Sequence, residues 1–256
     1  PVMGVHSAPC QECYWCEHDQ ENLCESIMST KVLGSYAEYL LVPARIAKLN
    51  LFPKPDSISF EKACLLEPLA CVAQGIELLK LRHDNSVLII GPGAIGLMFV
   101  GALRLAGVRD ITLAGRNESR LAVGKKLGAN TCKVTEIPVS DDHKYDVVIE
   151  CTGQVEVWES SINYVRRGGT MMLFGGCPGG TQATFDTKKV HYDQITILSP
   201  FHFGTKAVRQ AREWLLNPLL DLSGIITGER LLEQGKQVFD DLRAGSGLKY
   251  VFKPGA

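Results

Sequence analysis

Four cysteines lie close together near the start of the chain. Cys10, Cys13, Cys16 and Cys24 follow the spacing C-x2-C-x2-C-x7-C. Short spacers bring the four thiolates within reach of one ion, and four sulfur ligands leave no open position, which is the chemistry of a structural zinc site. Disulfides and an iron–sulfur cluster are the alternatives. Because the opening residues do not resemble a signal peptide, we expect metal binding rather than disulfides.

A glycine-rich turn follows a short β-branched run that covers Ser86 to Ile90. Apolar residues then recur at helical spacing, and Asp110 to Ala114 is a second strand-like run. In a strand–turn–helix–strand context, glycines allow the backbone to approach a pyrophosphate at the helix N-terminus. The pattern therefore predicts a dinucleotide site on the six turn residues, which are Gly91, Pro92, Gly93, Ala94, Ile95 and Gly96.

This stretch allows two other interpretations. Residues 87–103 are apolar enough to suggest a membrane span, but Gly91-Pro92-Gly93 would break a spanning helix near its start. A glycine turn that binds nothing is the second alternative. The complete strand–turn–helix context favours nucleotide binding over both.

The tip of the second strand carries cationic residues. Gly115 and Arg116 stand where an acidic residue would bind the ribose hydroxyls of NAD, and Arg120 follows one helical turn later. A guanidinium group is suited to a phosphate, so we expect NADP(H) rather than NAD(H). NAD(H) stays the alternative, because Glu118 could also reach the ribose and Arg116 could be a solvated loop residue.

The elements that position these residues follow a strand–helix alternation. After Arg120 further strands are predicted at residues 131–134, 146–151, 170–174 and 195–198, which indicates a parallel sheet. Ligands of such sheets bind at the carboxyl ends of the strands. The predicted wall for the nicotinamide half, unless these are ordinary turns, is therefore Thr152, Gly153, Phe174, Gly175, Gly176, Phe201 and His202.

The remaining segments carry weaker patterns. Residues 34–49 indicate strand with a break at Pro43, and residues 60–80 indicate a helix capped by Ser59 and broken near Leu66-Glu67 by Pro68. A further helix is predicted over residues 155–166. Glu67 is flanked by leucines, so it is either a buried acid that needs a cation, a metal or a donor, or an exposed helix glutamate.

Composition excludes several function classes. The 256 residues carry 27 Lys and Arg against 28 Asp and Glu, for a formal net charge of −1. This balance gives no electrostatic reason to expect nucleic acid or an anionic membrane as a partner, and the region around the four cysteines is acidic. The other five of the nine cysteines lie in apolar segments, which is typical of small buried residues in a reducing cytoplasm.

In this order, the cysteine spacing, Leu66-Glu67-Pro68-Leu69-Ala70, the glycine turn, Cys151-Thr152-Gly153 and the glycines after Phe174 resemble the zinc-containing medium-chain dehydrogenase/reductase superfamily. The resemblance is closest to its polyol and threonine dehydrogenase branch. It implies an α/β fold: a Rossmann doubly wound parallel sheet over residues 55–204, with part of a GroES-like β-rich catalytic domain and its zinc lobe at 1–54, and a C-terminal segment, 205–256, that returns to that domain.

The resemblance also implies a function. It implies a cytoplasmic oxidoreductase, dimeric or tetrameric, that transfers hydride between a nicotinamide cofactor and a secondary alcohol or ketone. In that branch the glutamate that matches Glu67 lies at the catalytic zinc, as a direct or water-mediated ligand.

The resemblance is incomplete at one place. Family members carry a cysteine and a His-Glu pair as catalytic zinc ligands well before the four-cysteine lobe, and Pro1 lies just ahead of that lobe. We therefore expect a fragment of a longer enzyme, or a chain without that half-site, with a catalytic zinc only where those ligands exist. The chain as given is then expected to bind cofactor with little or no activity. The alternative function is an inactive NADP(H)-binding or sensing module.

Overall fold

The computed structural model describes residues 1–138, 140 and 144–253. The chain divides into two units, of which the first contains Pro1–Gln74 and Phe201–Ala256 and the second contains Gly75–Pro200. In chain order the strands are β1 (Val2–Gly4), β2 (Leu51–Pro53), β3 (Ser86–Ile90), β4 (Asp110–Gly115), β5 (Asn130–Lys133), β6 (Tyr145–Glu150), β7 (Val165–Leu173), β8 (Thr196–Leu198), β9 (Ile226–Leu231) and β10 (Lys249–Lys253).

The helices alternate with these strands along the second unit. In chain order they are α1 (Tyr14–Glu17), α2 (Ala44–Asn50), α3 (Phe60–Ala63), α4 (Leu66–Leu79), α5 (Ala94–Leu105), α6 (Glu118–Lys126), α7 (Val155–Ser161), α8 (Thr187–Tyr192), α9 (Thr205–Leu216) and α10 (Gly235–Arg243).

The second unit is built on a six-stranded sheet with the order β5-β4-β3-β6-β7-β8. All neighbouring strands are parallel. The chain runs outward from β3 to β5 and then returns to place β6 on the other side of β3, which is the order of a doubly wound dinucleotide-binding sheet. The predicted fold class is confirmed, and the crevice at the carboxyl ends of β3 and β6 is the expected ligand site.

Apolar side chains explain why β3 lies at the centre of the sheet. Val87, Leu88, Ile89 and Ile90 are all buried, so both faces of this strand are covered. The core continues through β6 and β7 and includes Tyr145, whose hydroxyl donates a hydrogen bond to Thr112 Oγ1 at 3.2 Å. This rigid centre fixes where the turn after β3 projects.

In the first unit, β1 pairs with β2 in antiparallel orientation and β9 pairs with β10 in parallel orientation. Ser59 caps α3 as predicted, because its Oγ accepts the backbone N–H of Lys62 at 3.2 Å. The predicted long helix is broken between α3 and α4, slightly before the expected position. Pro68 lies in the first turn of α4, where a missing N–H leaves no helical hydrogen bond unmade.

Two secondary-structure predictions are wrong. Residues 34–43 join none of the described strands, and the chain then forms α2 instead of a strand. Pro43 has a φ of −57° at the N-cap, and the Ala, Leu, Arg and Lys residues that follow favour a helix.

The second error concerns residues 155–166, because α7 ends early and β7 begins at Val165. Gly168 and Gly169 do not end an element but lie inside β7, at a shift in its register against β6. Gly168 has a φ of +68°, and a Cβ on Gly169 would lie 2.9 Å from the carbonyl oxygen of Asp146. The glycines therefore form an irregularity within the strand.

No helix in the described part of the chain is long and apolar enough to cross a membrane. The apolar run at residues 87–103 is divided between β3 and α5, as its glycine turn indicates.

Candidate cofactor site and zinc centre

A cavity of about 490 Å³ lies at the carboxyl ends of β3, β4 and β6. Strand ends at this switch in strand order are where doubly wound sheets bind nucleotides. Seven of its lining residues are predicted site residues: Gly91, Pro92, Gly93, Gly115, Arg116, Arg120 and Thr152. Six further lining residues are not predicted from the sequence: Ile90, Asn117, Val134, Cys151, Gln154 and Val157.

The glycine turn has the geometry that its sequence predicts. Gly91 has a φ of +111°, and a Cβ there would lie 2.9 Å from Thr152 Cγ2. Gly93 is the N-cap of α5 and has open space where a side chain would stand. Ala94 and Ile95 begin α5, whose first-turn N–H groups have no partner within the helix. The turn thus offers backbone donors and space to an anionic group.

The charged side chains in the cavity lining are cationic. Arg116 and Arg120 line the cavity, and its described lining contains no carboxylate. Asn117 caps α6, because its Oδ1 accepts the backbone N–H of Arg120 at 3.1 Å. Glu118 forms an ion pair with Lys133 at 3.3 Å. The carboxylate that could have bound the ribose therefore has a basic partner on β5.

A buried carboxylate organises the turn after β6. Glu150 is fully buried, and its Oε1 accepts the backbone N–H of Thr152 at 2.5 Å and that of Gly153 at 3.2 Å. The Thr152 hydroxyl also donates to it. Sequence reasoning missed this residue, although an acid at the end of the apolar strand V-V-I-E was the available signal.

The predicted residues after β7 lie against that same turn. The backbone N–H groups of Phe174 and Gly175 each donate to the Glu150 carbonyl at 3.0 Å. A Cβ on Gly153 would lie 2.6 Å from the Gly176 carbonyl oxygen. Gly153, Gly175 and Gly176 are thus brought together at the sheet edge, whereas Phe174 packs edge-on against Phe99 with ring centroids 5.0 Å apart.

The other two predicted nicotinamide residues, Phe201 and His202, belong to the first unit. His202 Nε2 and Ser7 Oγ share a hydrogen bond of 2.6 Å. Burial, together with the nearby His6 and Lys31, lowers the pKa of His202 to about 4. His202 is therefore neutral at physiological pH.

The four cysteines converge as a metal site requires. The sulfur atoms of Cys10, Cys13, Cys16 and Cys24 all lie within 4.8 Å of one another. Cys13 and Cys16 are 3.6 Å apart and Cys10 and Cys16 are 3.9 Å apart, close to the ~3.8 Å that tetrahedral coordination with Zn–S bonds of ~2.3 Å gives. These residues fit a structural zinc ion.

Local structure supports this arrangement. Cys13 is the N-cap of α1, and Gln11 adopts a left-handed φ of 66° between the first two ligands. Burial opposes ionisation of Cys24, but hydrogen bonds from Cys10 N–H and from Ser26 outweigh it and lower the pKa of Cys24 to about 6. A thiolate is the form that binds zinc.

The cysteine lobe holds the segment that enters α9. Glu21 Oε2 accepts the backbone N–H of Thr205 at 2.7 Å and its hydroxyl at 2.6 Å. Asn22 Nδ2 donates to the Phe201 carbonyl at 3.0 Å. A carboxylate at a helix N-terminus satisfies donors that the helix leaves unpaired.

Glu67 is partly exposed rather than buried. Its side chain is 36% exposed and lies in the first turn of α4, where Oε1 is 3.8 Å from His6 Nδ1. Cys71 donates a weak hydrogen bond to it at 3.7 Å, and burial and the negative charge of Glu67 raise the pKa of this thiol. Glu67 and His6 line a second cavity, of about 750 Å³, between β1 and residues 32–42.

These contacts do not complete a second metal site. In the part of the chain that the structure describes, the four cysteines are the only group of three or more metal-binding side chains whose ligand atoms lie close together. Glu67 alone therefore does not account for a catalytic metal.

Comparisons with known proteins agree with this geometry. A family model described as zinc-binding dehydrogenase matches residues 94–217, and one described as the alcohol dehydrogenase GroES-like domain matches residues 1–56. D-arabinitol dehydrogenase 1 of Uromyces fabae is 27% identical over 264 residues, which are 97% of this chain and 73% of that protein. L-threonine 3-dehydrogenase of Coxiella burnetii is 28% identical over 265 residues, 98% of this chain and 74% of that protein.

A solved structure extends the likeness to three dimensions. The crystal structure of a zinc-binding dehydrogenase of Sinorhizobium meliloti 1021, bound to NADP, superposes with a TM-score of 0.88. It is 25% identical and covers 99% of this chain and 76% of its own. The two matched models, the doubly wound sheet and the cysteine lobe lead to one assignment: the chain belongs to the zinc-containing medium-chain dehydrogenase/reductase superfamily of oxidoreductases.

Proposed function

We propose that this protein transfers a hydride between NADP(H) and the carbinol carbon of a secondary alcohol of the polyol or amino-alcohol type, or its ketone. The substrate class is supported by the two curated relatives, which are named for D-arabinitol, a polyol, and L-threonine, which carries an amino group beside its hydroxyl. The single observation that carries the proposal is the cavity at the ends of β3, β4 and β6, which is lined by the glycine turn and by two arginines.

The role of each cavity residue follows from its position. The glycine turn and the first N–H groups of α5 bind the pyrophosphate, because unpaired backbone donors there favour an anion. Arg116 binds the 2′-phosphate of NADP, with Arg120 beside it, since a guanidinium fork matches phosphate oxygens. The alternative is a site that also accepts NAD(H), which equal affinities for NADPH and NADH would support.

The nicotinamide end is assigned to the turn after β6. Glu150 holds Thr152 and Gly153 through buried hydrogen bonds, so these residues and Gly175 and Gly176 present backbone groups to the ring in a fixed geometry. The assignment of Phe201 and His202 to that end stays a prediction.

Zinc enters the proposal in two ways. Cys10, Cys13, Cys16 and Cys24 hold a structural ion, which stabilises the lobe and through it the start of α9. Glu67 is proposed as one ligand of a catalytic ion. Since the described residues do not complete that second site, no step of hydride transfer is assigned to it. A reducing compartment such as the cytoplasm would keep the nine cysteines from forming disulfides.

Turnover of NADP⁺ with a panel of polyols and vicinal amino alcohols, by the protein as expressed from its native gene and loaded with zinc, tests this function. The proposal expects nicotinamide absorbance to rise with at least one compound and the rate to fall when Glu67 is replaced by Gln. Absence of turnover with every compound would contradict hydride transfer.

A second function is favoured by one specific observation, the incomplete second metal site among the described residues. In that case the protein is a nucleotide-binding or sensing module. Stoichiometric NADPH binding without turnover on the same panel would support it.

A further inference from the structure

The ring of Pro92 fills the space beside Gly115. A Cβ on residue 115 would overlap the Cγ and Cδ atoms of Pro92 and lie 3.4 Å from its Cβ. Carbon atoms come into favourable contact only at ~3.5–4.0 Å, so no side chain fits at position 115 while the ring stays in place. Both residues line the 490 Å³ cavity.

The ring is held where it is. The backbone N–H of Gly91, the preceding residue, donates to the Ala114 carbonyl at 2.9 Å, which ties the turn to the end of β4. On its other side the Gly91 carbonyl abuts Gly96 of α5, where a Cβ would overlap it. Because the turn is fixed at both contacts, Pro92 cannot retreat without moving α5 or β4.

Position 115 is where cofactor selection is made. It is the last residue of β4, and an acidic side chain there would accept hydrogen bonds from the ribose of NAD and repel a 2′-phosphate. The neighbouring positions offer no substitute: the Asn117 side chain is bound to the Arg120 amide, and Glu118 is paired with Lys133. Arg116 and Arg120 are thus the charged side chains that line the cavity.

We propose that Pro92 is a specificity-determining residue of the cofactor site. Its ring restricts position 115 to glycine, which excludes an acid there and leaves the adenosine end open to the 2′-phosphate beside Arg116. This inference rests on the proposed function in that the cavity must bind a nicotinamide dinucleotide. The further point is that Pro92, in the turn after β3, allows only glycine at position 115. Cofactor preference therefore depends on Pro92 and Gly115 together.

The test is a double-mutant cycle of wild type, Gly115→Asp, Pro92→Ala and the double variant, measured by thermal unfolding and by titration with NADPH and NADH. Gly115→Asp alone is expected to lower Tm by about 5 °C and to weaken both cofactors, because its side chain collides with the ring. Adding Pro92→Ala is expected to restore most of that Tm loss. The double variant should then bind NADH about tenfold more tightly than NADPH.

The matched control is Gly115→Asn on the Pro92→Ala background, which has the size of Asp without its charge. It should recover Tm but gain no preference for NADH over NADPH. A Gly115→Asp single variant with the Tm of wild type and a preference for NADH would overturn the proposal, as would purely additive effects in the cycle.

The failure of the proposed function is distinguishable from these outcomes. A wild-type protein that binds neither dinucleotide overturns that function and the selective role of Pro92 with it. The Tm cycle would then report separately whether the ring and a side chain at 115 exclude one another.

Discussion

The buried carboxylate of Glu150 accepts the backbone N–H of Thr152 at 2.5 Å, and this contact shapes the turn at the end of β6. Replacing Glu150 with Gln exchanges one of the two acceptor oxygens for an NH2 group, which cannot accept hydrogen bonds from the N–H donors of Thr152 and Gly153. We expect this change to cost about 1–3 kcal/mol of stability. We expect Tm to fall by about 2–4 °C for each kcal/mol and NADPH to bind more weakly. Glu156→Gln, at an exposed position of α7, is the control, and equal Tm values for the two variants would contradict this role.

The four-cysteine lobe is expected to hold about one zinc ion per chain. Cys13→Ser or Cys24→Ser should reduce the zinc content measured by elemental analysis to near zero, because three thiolates hold the ion far less tightly. Cys132→Ser, outside the cluster, should retain it. Zinc that stays bound to both cluster variants would show that the ion lies elsewhere.

Glu21 connects that lobe to α9. Because its carboxylate accepts both the N–H and the hydroxyl of Thr205, Glu21→Ala should cost about 1 kcal/mol and increase hydrogen exchange at the first amides of α9. Glu17→Ala, on the exposed end of α1, is the matched control. Removal of zinc from wild type should increase exchange at the same amides. Unchanged exchange after both treatments would mean that the lobe does not support the helix.

His202 gives stability a pH dependence. Since burial and the nearby His6 and Lys31 lower its pKa to about 4, the folded state keeps it neutral while the unfolded state titrates near its ordinary 6.5. The stability that comes from keeping His202 neutral is fully present above pH 6.5. It is lost progressively as the pH falls toward 4, because the unfolded state then binds more protons than the folded state.

The decrease in Tm between pH about 7 and about 5 should therefore be smaller in His202→Gln than in wild type. His83→Gln, an exposed histidine in the other unit, should behave as wild type. Parallel Tm profiles for wild type and His202→Gln would exclude this origin of the pH dependence.

Local patterns predicted the elements whose signals lie within a few residues. Ser59 as a cap and the strand that ends at Ile90 were confirmed because capping and hydrophobic runs act locally. The strand predicted before Pro43 is wrong because a strand needs a neighbouring strand to pair with, and a sequence pattern does not show whether one is present. The helix predicted over residues 155–166 is wrong in its last residues, because Val165 and Arg166 belong to β7, whose pairing with β6 a local pattern does not show.

In the candidate site, too, local features are predictable from the sequence, whereas contacts between distant residues are not. The cysteine spacing and the glycine turn predict two candidate sites, because short spacing alone brings those residues together. The contact of Pro92 with Gly115 depends on how β3 and β4 pair, and the burial of Glu150 depends on the strands that flank β6. Such relations between distant residues become visible only in the folded chain.

Titration of wild type, Arg116→Ala and Arg109→Ala with NADPH and NADH tests whether the cavity binds NADP(H) through Arg116. Arg116 lines the cavity, whereas Arg109 is exposed just before the amino end of β4. We expect one saturable site per wild-type chain and tighter binding of NADPH. Arg116→Ala should lose about tenfold or more in NADPH affinity while NADH changes little and Arg109→Ala behaves as wild type. Equal loss of both cofactors in Arg116→Ala, or no saturable binding by wild type, would contradict NADP(H) binding through Arg116.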